Sequence, residues 1–245
     1  PPQHAAALAA VLLSPAAWAE SQNESLTAYH TLEVEGVSIF YREAGRKDAP
    51  TLLLLHGFPS SSHMFRDLIP KLAETYHVIA PDYPGFGQSS APDAAAYDYV
   101  AQFAPFWLER TAETEKPLRA LLKAEVTQWQ YVQGSSRSDR LSPDAWTHDQ
   151  AGLNRPGNAE IQLEYLWNYQ DNVARYPSWQ AYLARAQPDT LVVWGKNDPF
   201  FTLDAVSALQ ALLPDADVKL FDAGHFALET HVAEISDEIL QFMAR

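Results

Sequence analysis

The run Thr51-Leu52-Leu53-Leu54-Leu55-His56-Gly57-Phe58-Pro59 constrains the fold more than any other stretch of the chain. A half-exposed strand alternates polar and apolar residues, whereas a short unbroken apolar run ending in a Gly/Pro turn marks a strand buried on both faces of a parallel sheet. The same texture returns in "HVIAPDYPGFG", which breaks at Pro81, and in "TLVVWGKNDPF", with a further strand in "DVKLFDAGHF". "FRDLIPKLAETY" has helical spacing and completes a βαβ unit. Ahead of it, the β-rich runs of "YHTLEVEGVSIFYREAG", broken at Glu35-Gly36, predict a hairpin at the sheet edge. In "VAEISDEILQFMAR" the spacing puts Val232, Ile235, Ile239, Leu240 and Met243 on one face of a closing helix. The expected class is α/β, a mostly parallel sheet flanked by helices.

From about Phe103 to Tyr182 the texture changes to long helical stretches rich in Trp and Tyr, with no buried apolar strand. The expected organisation is a helical cap over residues 103–187, set between core segments 20–102 and 188–245. The alternative is a helical core that simply buries its aromatics.

A formal charge of -14 without any basic block excludes nucleic acid and anionic membrane surfaces, which need Lys and Arg to neutralise phosphate. The absence of cysteine excludes disulfides, thiolate catalysis and Cys-based metal sites. No metal and no cofactor is expected, and no apolar run reaches the roughly 20 residues of a membrane span. The partner expected is a small apolar substrate or ligand; the oligomeric state has no signature. "AAALAAVLLSPAAWAESQNE" pairs an apolar core with Ala17-Trp18-Ala19, so residues 1–19 read as an export leader cleaved after Ala19 and the protein as periplasmic or secreted. The alternative is an Ala-rich helix packed on the body.

Three motifs follow strands, where parallel sheets place their ligand sites: His56-Gly57-Phe58-Pro59, Gly195-Lys196-Asn197-Asp198-Pro199 and Gly224-His225-Phe226. A carboxylate beside a later histidine fixes the imidazole tautomer and stabilises its charged form, leaving the second ring nitrogen to accept a proton. Asp198 and His225 suit those roles. Backbone amides of the turn at Gly57 and Phe58 suit half of an oxyanion hole.

"LLLLHGFPSSSHMFRDLIPKLAETYHVIAPDYPGFGQSSAPD" resembles the amino-terminal half of α/β-hydrolases of the epoxide hydrolase and haloalkane dehalogenase branch, including the H-G-x-P turn and the G-x-G-x-S loop. "WGKNDPFF" and "DAGHFALE" resemble the acid and histidine motifs of that family, and "RPGNAEIQLEYLWNYQDN" resembles part of its cap. The resemblance spans about Tyr29 to Met243. It implies hydrolysis of a small apolar epoxide, haloalkane or ester, with Asp198 and His225 as the acid/base pair. It also implies cap aromatics against the substrate, with Tyr165 and Tyr169, one helical turn apart, and Trp129 as candidates.

In that family the nucleophile, Asp in this branch and Ser in the esterases, sits on a strand-to-helix elbow flanked by small residues. Such an elbow, with its strands and helices, needs about 45 to 50 residues after the G-x-G-x-S loop. Between Ser90 and Trp107 the chain is too short for it. Gly134-Ser135-Ser136-Arg137-Ser138 has elbow spacing, but a helical pattern precedes it and Pro143 follows, so Ser136 is the weaker alternative for a serine hydrolase. Asp82 and Asp98 lack flanking glycines. The expectation is a chain missing two central strands, whose "LLLLHG" and "LVVWG" strands pair directly, with His56, Asp198 and His225 at one end. "AAAYDYVAQF" would form a short helix into the cap. Activity would be impaired or lost, and the alternatives are a binding protein for a small hydrophobic ligand or a defective coding sequence of an active parent.

Overall fold

A computed structural model describes residues 26–34, 36–91 and 109–245. The proposed leader, Asp98 and the "AAAYDYVAQF" seam lie outside the described residues. Strands β1 (Ala28–Val34) and β2 (Val37–Ala44) form the expected antiparallel hairpin, with Val34 opposite Val37. Strand β3 (Thr51–Leu53) runs parallel to β4 (His77–Pro81), which pairs antiparallel with β2, giving the order β1-β2-β4-β3. A separate two-stranded parallel sheet joins β5 (Leu191–Gly195) to β6 (Asp217–Phe221).

This arrangement corrects three expectations. The strands carrying Leu53 and Val193 lie in different sheets and do not pair. The described strands are mixed rather than mostly parallel, because β2 is antiparallel to both of its neighbours. β3 is also not buried on both faces: Leu53 is 59% exposed, and Leu55, just beyond the strand, 54%. Its composition suits a central strand, but among the described residues it pairs with β4 alone.

The helical spacing after β3 resolves into a 3-10 turn (Ser62–Phe65) and a single-turn helix α1 (Ile69–Leu72), shorter than the sequence suggests. Pro70 lacks an N–H and sits in the first turn of α1, where none is needed. Ile69, Leu72, Tyr76, Val78 and Ala80 form the main core, against which Val232, Ile239 and Leu240 of the closing helix α8 (Leu228–Met243) pack. Each fully buried Ile or Leu contributes on the order of 1.5–3 kcal/mol. A bidentate pair from Arg66 to Glu229 at 2.7 and 3.0 Å fastens α8 to the 3-10 turn.

Between β4 and β5 the described chain is helical: α2 (Ala112–Leu121), α3 (Ala124–Val132), α4 (Pro143–Leu153), α5 (Asn158–Asn168) and α6 (Gln170–Ala186). A further helix, α7 (Leu203–Leu212), separates β5 from β6. None of the described helices is long and apolar enough to cross a membrane.

Candidate active site

Because β5 and β6 are parallel neighbours in register at Gly195 and Phe221, the loops leaving their carboxyl ends lie side by side. Two glycines permit the contact: a Cβ on Gly195 would stand 2.1 Å from the carbonyl oxygen of Gly224, and one on Gly224 would stand 2.1 Å from that of Gln133. The amides of Lys196 and Asn197 donate to the carbonyls of Phe221 and Ala223, locking the loops together. Asp198 and His225, 27 positions apart, thereby meet: His225 Nδ1 lies 2.9 Å from Asp198 Oδ2.

Asp198 Oδ1 accepts the amides of Phe200 and Phe201 at 2.8 and 3.1 Å. Burial works against ionisation here, but the hydrogen bonds from His225, Phe201 and Phe200 outweigh it and hold the carboxyl below its ordinary value. An ionised carboxylate only accepts, so Nδ1 of His225 carries the proton and Nε2 is left as the acceptor. The imidazole is flanked by Phe200 at 5.1 Å and Phe201 at 5.6 Å between ring centres.

His225 lines a cavity of about 370 Å³ together with Gly57, Phe58, Gln130, Tyr165, Tyr169 and the two phenylalanines. The wall is largely aromatic, and that volume suits a small molecule. The turn after β3 thus shares a cavity with the β6 loop, although their strands belong to separate sheets. His56 itself faces away from it. Its Nε2 accepts the Tyr83 amide at 3.0 Å, its Nδ1 donates to the Gly57 carbonyl at 3.0 Å, and burial lowers its pKa, so it braces the turn as a neutral imidazole. Pro59 lines a small void of about 10 Å³ beside Asp149 instead.

Behind the histidine, Phe226 stacks face to face on Tyr131 at 3.8 Å. The Tyr131 hydroxyl donates to buried Asp149 at 2.5 Å, and burial together with that carboxylate pushes the phenol well above its usual value. This fixes the backbone that carries His225 from below.

The cap candidates differ in placement. Tyr165 and Tyr169 line the cavity, but the Tyr165 hydroxyl donates to the Pro84 carbonyl at 2.9 Å and that of Tyr169 pairs with Tyr176 at 2.6 Å. Trp129 is 45% exposed and packs edge-on against Phe200 rather than lining the cavity. Ser136 lies in the exposed turn after α3, and its hydroxyl donates to the Asp222 carbonyl. Sequence reasoning passed over Gln130, Phe200 and Phe201. The phenylalanines follow Asp198 directly in "DPFF", and Gln130 shares the face of Thr127 and Tyr131 at helical spacing, which was the available signal.

The alpha/beta hydrolase fold family matches residues 50–125 and 94–232, two overlapping pieces that together cover most of the chain. The chain belongs to the alpha/beta hydrolase fold family. An uncharacterized hydrolase of Saccharomyces cerevisiae is 30% identical over 284 residues, covering 89% of this chain and 98% of the yeast protein. That alignment is longer than the 245 residues of this chain, so the yeast protein carries residues without a counterpart here. Epoxide hydrolase A of Mycobacterium tuberculosis is 46% identical over 69 residues, a local match covering 27% of this chain and 21% of that enzyme. Among solved structures, a haloalkane dehalogenase loop variant from Bradyrhizobium elkanii superposes with a TM-score of 0.66 at 20% identity, covering 89% of this chain and 97% of that one, a likeness of fold alone.

Proposed function

We propose that this alpha/beta hydrolase acts on a small apolar epoxide, ester or haloalkane held in the aromatic cavity, with His225 as general base and Asp198 as its orienting partner, and without a covalent nucleophile. The observation that carries this reading is the oriented Asp198–His225 pair opening on a cavity whose described lining holds no carboxylate, serine or threonine. The two-piece family match and the residues present only in the yeast relative support a missing elbow. Ser136 plays no part in this reading, because its hydroxyl is given to the Asp222 carbonyl and lies outside the cavity lining.

With an epoxide, Nε2 of His225 takes a proton from water as the water oxygen bonds to a ring carbon. That carbon's bond to the epoxide oxygen breaks, and the released oxygen takes the proton back from the imidazolium, giving a diol. Positioned base catalysis contributes typically about 10²–10⁴-fold, far less than a complete covalent mechanism, so turnover is slow. The test is hydrolysis of styrene oxide, phenyl acetate and (2-chloroethyl)benzene by the parent and by His225→Ala. Slow turnover that falls at least about 100-fold in His225→Ala and is unchanged in Ser136→Ala supports the reading. Turnover lost in Ser136→Ala contradicts it. Ligand-dependent thermal stabilisation without product from any substrate replaces it with the non-catalytic binding alternative.

A further inference from the structure

The buried face of α3 carries three polar side chains, and two of them are satisfied within the protein. Thr127 donates to Gln150 at 2.7 Å and Tyr131 to Asp149 at 2.5 Å. The third, Gln130, is only 4% exposed, lines the cavity with His225 and Phe58, and makes no hydrogen bond among the described residues. An amide on a cavity wall can bond to water while the cavity is open, and a substrate that fills the cavity without offering an acceptor leaves it unpaired at a cost of about 1–3 kcal/mol. Among the other side chains of the lining, the Tyr165 hydroxyl donates to the Pro84 carbonyl, that of Tyr169 pairs with Tyr176, and His225 Nδ1 is held by Asp198, leaving its Nε2 as an acceptor rather than a donor.

We infer that Gln130 is the residue that selects the substrate, its side-chain amide donating a hydrogen bond to a neutral oxygen on an otherwise apolar molecule. The inference rests on the cavity being the substrate site, and it narrows the substrate class to epoxides and esters over haloalkanes. An amide carries no net charge, so it cannot compensate a carboxylate or ammonium desolvated among aromatic rings. Carbon-bound chlorine accepts hydrogen bonds poorly, whereas epoxide and carbonyl oxygens accept them well, so an amide here discriminates between the substrate types that the cavity otherwise admits equally.

The experiment measures binding by calorimetry on the His225→Ala protein, so that turnover does not consume the probes. Styrene oxide, (2-chloroethyl)benzene and ethylbenzene share a phenyl ring and a two-carbon arm and differ in the group Gln130 would meet. Gln130→Leu is expected to weaken styrene oxide about tenfold, the value of one buried hydrogen bond, while the other two probes change by less than about twofold. Gln130→Met is the second variant and is expected to show the same pattern, with circular dichroism verifying that both are folded. An equal change for all three probes, or an unchanged affinity for styrene oxide, overturns the assignment of Gln130 and leaves the cavity intact as the site. Failure of every probe to bind the His225→Ala protein overturns the cavity as the substrate site, and the role of Gln130 with it.

Discussion

Asp198 divides its two oxygens between two tasks, one holding the amides of Phe200 and Phe201 and the other fixing His225. Asp198→Asn keeps the shape but presents an N–H₂ to one of those partners; facing His225, it forces the ring into the other tautomer. We expect hydrolysis to fall by about 10²–10⁴-fold, with the urea midpoint little changed, checked by initial rates and unfolding curves. A second residue-scale consequence concerns His63, whose pKa is lowered to about 4 by burial and by the neighbouring His148, Arg66 and Arg42. His63 is therefore neutral when folded and titrates near its ordinary value when unfolded, so between these values the unfolded chain binds more protons. Its contribution is fully present above about pH 6.5 and declines as pH falls toward 4, by at most about 1.4 kcal/mol per unit. Burial of His56 acts in the same direction. Urea unfolding at pH 4.5, 5.5 and 6.5 should show a shallower pH slope in His63→Gln than in the parent.

At the scale of elements, the loop after β4 hangs on Asp82, which is 1% exposed and accepts the amides of Ser62 and Gln88, both at 2.7 Å. Ser89 and Ser90 stitch the same loop to the amides of Phe40 and Ser38 on β2. Asp82→Ala strands the buried Ser62 amide and frees the part-buried Gln88 amide, and a loss of about 1–3 kcal/mol in the urea-extrapolated stability is expected. The strands and the Asp198 and His225 loops were legible in the sequence because each joins a short apolar run to a turn, a signal contained within about ten residues. What was not legible depends on contacts between distant segments. Four leucines specify an apolar strand, but its burial depends on which strands lie beside it, and among the described residues β3 pairs with β4 alone. Likewise "EVTQWQYV" announces a helix, while the meaning of Gln130 depends on which face of α3 meets the cavity.

At the scale of the molecule, the sheet divides between β3 and β5, and the Asp–His pair does not depend on bridging that division, because both residues sit on adjacent loops of the smaller sheet. Among the described residues the division leaves β3, an uncharged and proline-free strand, paired along one edge, and an unpaired strand edge promotes association between chains. Leu53→Lys, at a 59% exposed position, should reduce concentration-dependent light scattering while leaving stability within about 0.5 kcal/mol. The central claim is that water activated by His225 attacks substrate directly, with no covalent enzyme intermediate. A single turnover of styrene oxide in H₂¹⁸O, with enzyme in excess, tests it most directly. Direct attack puts ¹⁸O into the first-turnover diol, whereas a diol carrying only ¹⁶O, its new oxygen drawn from an enzyme carboxylate, would contradict the account.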